Sequence, residues 1–142
     1  MIELVRDLIV LLERESLTVQ EVVSRVGAVT EDGGAPLPMV LRSRLTGVRA
    51  AKLARYPDSG LPYTLELRLA PAAQPTVAAL KVGLGEYQRA PTDMGRPREI
   101  VFRPAGAGAT WRVAVVAELS ASPVEIDRSK AAVITLRRDP KR

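Results

Sequence analysis

A chain of 142 residues with neither cysteine nor histidine, a formal charge of +5 and a pI near 10.1 has the length of one ordinary domain. It has no access to disulfide, thiolate or imidazole chemistry, which removes Ser-His-Asp and Cys-His catalysis and histidine metal sites. The 46% hydrophobic and 26% charged fractions belong to a folded protein, and with aromatics at 4% the core has to be built from Leu, Val, Ile and Ala.

Residues Ile2 to Arg14 place Val5, Leu8, Ile9 and Leu12 at helical spacing, with Glu3, Arg6, Asp7, Glu13 and Arg14 between them, so an amphipathic helix is expected. The longest uncharged apolar run here, Leu8 to Leu12, is too short for a signal segment or a membrane span. A cytoplasmic protein with no membrane contact is therefore expected. A second helix is predicted from Thr18, where Thr18 and Glu21 fit a capping box, Leu17 and Val22 fit a hydrophobic staple, and Gly27 closes the helix.

The segment Ser16 to Gly27 resembles the opening helix of bacterial helix-turn-helix domains. A recognition helix has to follow within a few residues. Instead the chain continues Thr30-Glu31-Asp32-Gly33-Gly34-Ala35-Pro36-Leu37-Pro38, which no helix can use, so that family is rejected. The Gly/Pro stretch 28–38 is expected to be a linker between a helical hairpin, 1–27, and a β-rich core, 39–142, the whole forming a single domain.

From Gly33 to Pro57 there is no acidic residue, while Arg42, Arg44, Arg49, Lys52 and Arg55 all fall in that window. Met39 to Leu41 fits a short strand, and Val48 to Tyr56 fits a second because Pro57-Asp58-Ser59-Gly60 turns the chain directly into the next one. That next strand carries the clearest alternation, with Tyr63, Leu65, Leu67 and Leu69 on one side and Thr64, Glu66 and Arg68 on the other. A third helix is predicted from Thr76, with Val77, Leu80 and Leu84 at helical spacing and glycines at its end.

The loop 88–97, with Arg89, Asp93 and Arg96, is long enough to be a functional candidate. Residues 98–103 then alternate Arg98, Ile100, Phe102 against Glu99, Val101, Arg103 as an outer strand. Thr110 to Leu119 reads as a central strand and Ala131 to Arg137 as the last. The basic tail from Arg137 to Arg142 is expected to fray. No internal repeat stands out.

These elements give an α+β fold, with an N-terminal helical hairpin and one further helix on one face of a mostly antiparallel sheet of about five strands. The short Gly-x-Gly pieces at 83–85 and 106–108 lack the continuation of a phosphate loop, and the acidic residues form no calcium-binding pattern. Glu66, Glu99 and Glu118 sit on predicted strands as the only acid-base candidates, each expected to face solvent opposite an arginine. Nearly all the positive charge is arginine, a bias that a GC-rich bacterial genome alone also produces.

The expectation is a small non-catalytic binding protein, without cofactor or metal, acting through a protein-protein interface as an inhibitor, immunity-type factor or accessory subunit. An acidic protein partner would meet Arg42, Arg44, Arg49, Lys52, Arg55, Arg89 and Arg96. The alternative is a nucleic-acid-binding module using the same arginine-rich face.

Overall fold

The computed structural model describes residues 1–89, 98–106, 108, 110–120 and 125–141. Three α-helices, α1 (Ile2–Leu12), α2 (Val19–Val26) and α3 (Val77–Leu84), accompany an eight-stranded antiparallel sheet. Its strands are β1 (Gly27–Glu31), β2 (Met39–Ser43), β3 (Val48–Arg55), β4 (Pro62–Leu69), β5 (Tyr87–Arg89), β6 (Glu99–Phe102), β7 (Trp111–Leu119) and β8 (Ala131–Pro140). The spatial order is β1-β2-β3-β4-β8-β7-β6-β5.

The mixed architecture and the antiparallel meander of the last three strands are as the sequence predicts, but the sheet has eight strands and not about five. Two strands lack the alternation that reveals the others. β1 occupies the start of the expected linker, where every residue after Gly27 is exposed, and its pairing with β2 holds it extended. Gly27 permits that approach, because a Cβ there would lie 1.8 Å from the carbonyl oxygen of Arg42. β5 is only three residues long.

The order of elements divides the sheet into two like halves. Each is a helix followed by a four-stranded meander, α2-β1-β2-β3-β4 and α3-β5-β6-β7-β8, and the halves join through the antiparallel pair β4 and β8. Both helices have a threonine N-cap whose side chain accepts from a backbone N–H, and both close on glycine. The pattern Thr18-Val19, Val22, Val26-Gly27 returns at the same spacing as Thr76-Val77, Leu80, Leu84-Gly85. At α2 the capping box is complete, with Glu21 accepting from the Thr18 N–H at 3.2 Å and Thr18 Oγ1 accepting from the Glu21 N–H at 3.2 Å.

One face of the sheet carries the core. Leu41, Leu53, Leu65, Leu136, Val115 and Phe102 lie in successive strands on this face and are buried against apolar residues of the helices. α1 packs on β7 and α3, and α2 packs on β1 and β2. Gly83 lets α1 and α3 come close, since a Cβ there would meet Ile2 Cγ2 at 2.5 Å. Among the described residues no helix is long and apolar enough to cross a membrane.

The tail expected to fray is instead paired into the sheet as far as Pro140, and Arg142 lies outside the described residues. β8 runs to Pro140, and Arg138 is 0% exposed. Its guanidinium donates to the carbonyl oxygens of Leu12 at 2.7 Å, Arg14 at 3.0 Å and Pro62 at 3.0 Å. Leu12 ends α1 and Arg14 lies two residues beyond it; the helix has no basic residue in its own last turn, so a strand at the far end of the sequence satisfies carbonyls at its C-terminal end. The Trp111 ring lies 4.0 Å from the guanidinium carbon, Tyr56 stacks between Trp111 and Tyr63, and the Tyr56 hydroxyl donates to the Arg138 carbonyl.

Candidate functional site: the open face of the sheet

The face opposite the helices carries no covering element among the described residues. Its side chains follow from strand alternation: Arg42 on β2, Lys52 on β3, Thr64, Glu66 and Arg68 on β4, Thr135 and Arg137 on β8, Arg112, Val116 and Glu118 on β7, and Glu99 and Val101 on β6. These residues are exposed or partly exposed, while their neighbours on the helix side are buried.

The predicted basic residues divide into two groups. Arg42, Arg49 and Lys52 are exposed, and among the described residues none of them makes an ion pair or a side-chain hydrogen bond. Arg49 sits at the bulge where β3 shifts register against β4. Lys52 lies opposite Glu66 in register, but Glu66 pairs at 3.9 Å with Arg68. Lys52 and Glu66 share the wall of a depression of about 280 Å³ with Pro38, Ala54 and Thr64.

Arg44 and Arg55 are engaged in the fold. Arg44 donates to the Ser24 carbonyl at 3.1 Å, tying the end of β2 to α2. Arg55 pairs with Asp32 at 2.7 Å, closing the loop between β1 and β2. The Gly34 backbone N–H and then Arg55 hold the Asp32 carboxyl below its ordinary pKa of 3.8. Arg89 is exposed at the end of β5, at the opposite edge of the sheet from Arg42 and Lys52. Arg96 lies outside the described residues.

The three carboxylates do not converge. Glu66 lies on β4, while Glu99 and Glu118 stand directly opposite each other across β6 and β7, acid against acid where an arginine partner was expected. Neither Glu99 nor Glu118 has an ion pair among the described residues. Arg112 near the start of β7 and Arg103, the residue after β6, lie at the other end of this strand pair and are also without an ion pair among the described residues. Register places Asp139 opposite Arg112, but Asp139 is gripped by Arg137 Nε at 2.9 Å and Arg137 Nη2 at 3.1 Å, contacts that raise the Arg137 pKa.

Among the described residues no group of three or more Asp or Glu side chains is placed to hold a metal ion. The aromatic residues Tyr56, Tyr63 and Trp111 cluster around Arg138 and so do not offer a row of rings along the open face. The grouping of Glu99 with Glu118 and of Arg103 with Arg112 was not read from the sequence. Their shared parity within each strand was visible there, but the cross-strand register that joins them was not. Comparison of the chain with protein-family models, curated proteins and solved structures finds no match, so the residues themselves carry the functional reading.

Proposed function

We propose that the protein is a non-catalytic binding protein acting through a protein-protein interface, as an inhibitor, immunity-type factor or accessory subunit, and that the β2–β3 half of the open face meets an acidic partner. The supporting observation is that Arg42 and Lys52 lie on adjacent strands with Arg49 at the β3 bulge, all three exposed and, among the described residues, without an ion pair, in a window that has no acidic residue. A partner carboxylate would find donors there that lose no existing ion pair on binding, and arginine is well suited to such contacts. Arg44 and Arg55 belong to the framework and not to the contact surface, because each already holds two elements together.

The experiment is capture from native lysate by the wild-type chain and by the triple variant Arg42→Glu, Arg49→Glu, Lys52→Glu. Loss of a specific partner with unchanged circular dichroism supports the reading, and undiminished capture refutes it. A nucleic-acid partner is the second reading, since unpaired cations on adjacent strands also suit phosphates. The placement of Tyr56, Tyr63 and Trp111 around Arg138 weighs against base stacking. Retention on heparin that weakens steeply with salt and is lost in the triple variant would transfer the proposal to nucleic acid.

A further inference from the structure

The β6–β7 part of the open face has an electrical direction. Along β6 the outward residues are Glu99 and Val101, with Arg103 immediately after the strand, and along β7 the same direction reads Glu118, Val116, the buried Ala114, and Arg112. Both series therefore run from acid through apolar to base. At one end Glu99 faces Glu118, a cross-strand arrangement that like charges disfavour. At the other, Arg103 and Arg112 border a depression of about 310 Å³ together with Lys141. The carboxylate nearest in register, Asp139, is committed to Arg137. Val101 and Val116, paired in the middle, remain partly exposed.

We propose that this strip binds a second copy of the same chain, face to face. A two-fold axis parallel to the sheet and perpendicular to its strands reverses the strand direction while keeping β6 over β6 and β7 over β7. It sets Glu99 and Glu118 of each copy against Arg103 and Arg112 of the other, with Val101 and Val116 packed between, in an isologous interface of two sheets. Each like-charged end then meets its complement, and the charges fix orientation as well as partner. A series running acid, apolar, base is complementary to itself only when reversed, and reversal is the operation that a two-fold axis performs. The strip lies on the opposite half of the face from Arg42, Arg49 and Lys52, so the dimer does not depend on the function proposed for them.

Sedimentation or light scattering on the full chain tests the proposal. At high concentration and low salt the wild type is expected at twice 15.4 kDa, with the dimer fraction falling as salt rises. The variant Arg103→Glu, Arg112→Glu and the variant Glu99→Arg, Glu118→Arg should each dissociate, their dimer constants weakened by about tenfold or more. Mixed together, they should form a heterodimer, because one strip is then wholly acidic and the other wholly basic. Glu99→Gln, Glu118→Gln, which removes the charges without adding repulsion, serves if a reversed chain fails to fold and should also weaken the dimer. A wild type that stays monomeric up to submillimolar concentration overturns the proposal, as do charge-reversed chains that remain dimers or a mixture that fails to associate.

Discussion

Replacing Arg138 with alanine removes the only buried cation among the described residues and leaves the carbonyl oxygens of Leu12, Arg14 and Pro62 without their donor. A hydrogen bond to a charged donor contributes about 1.5–3 kcal/mol, and a desolvated cation over a tryptophan ring adds about 2 kcal/mol. Against this stands the cost of holding a guanidinium out of water with no carboxylate beside it, which is several kcal/mol. That same burial lowers the Arg138 pKa. The terms do not add simply, because water reaches some carbonyls once the side chain is gone. A net loss of about 3–5 kcal/mol is expected for Arg138→Ala, a large share of the roughly 5–15 kcal/mol that holds a domain folded.

Arg138→Met keeps most of the volume and none of the donors, so it isolates the hydrogen bonds from the packing. Arg138→Lys keeps the charge but cannot reach three divergent carbonyls, so it should fall between wild type and alanine. The assay is urea unfolding at neutral pH, read as a shift in midpoint at constant slope. If Arg138→Met is as stable as wild type, or Arg138→Ala costs less than about 1 kcal/mol, the arginine offsets no more than its own desolvation and the anchoring argument fails.

Three further predictions concern stability. Gly27→Ala should force β1 away from β2, because the new Cβ would overlap the Arg42 carbonyl oxygen; a loss of more than about 2 kcal/mol in urea melts, with faster amide exchange in β1, is expected. The Tyr56 pKa is raised above 10.0, chiefly by burial and then by Asp139 and Tyr63. Its stabilising contribution is therefore complete below pH 10 and is lost as pH climbs through the higher folded value, so Tyr56→Phe should flatten the alkaline fall in stability. Asp32 has the opposite sign. Its folded pKa is below 3.8, so its contribution is present above that pH and is lost on acidification, and Asp32→Asn should remove that portion of the acid dependence.

The parts of the fold legible in the sequence are those where one side chain in two is buried. Tyr63 to Leu69 and Trp111 to Leu119 declare themselves as β4 and β7 by alternation, and Thr18 with Glu21 announces α2 through a capping box that is fully formed. β1 is silent because an edge strand with four exposed residues has no inward pattern to show. Arg138 was misplaced for a related reason. An arginine in a basic C-terminal run reads as solvated, and only the distant chain segments that supply Leu12, Arg14 and Pro62 make its burial tolerable.

The candidate surface was half legible. Charge content located Arg42, Arg49 and Lys52, but no local signal separates them from Arg44 and Arg55, whose partners Ser24 and Asp32 lie about twenty residues away in sequence. The pairing of Glu99 with Glu118 depends on how β6 and β7 slide past each other, which alternation within either strand does not specify.

The double-meander plan also determines where the sheet stops. Both lateral rims are supplied by the first strand after a short helix, β1 on one side and β5 on the other, and both are brief. One ends on Thr30 and Glu31 and the other on Gln88 and Arg89, so among the described residues neither rim offers a long greasy ladder to a passing strand. Short polar margins of this kind discourage runaway lateral stacking.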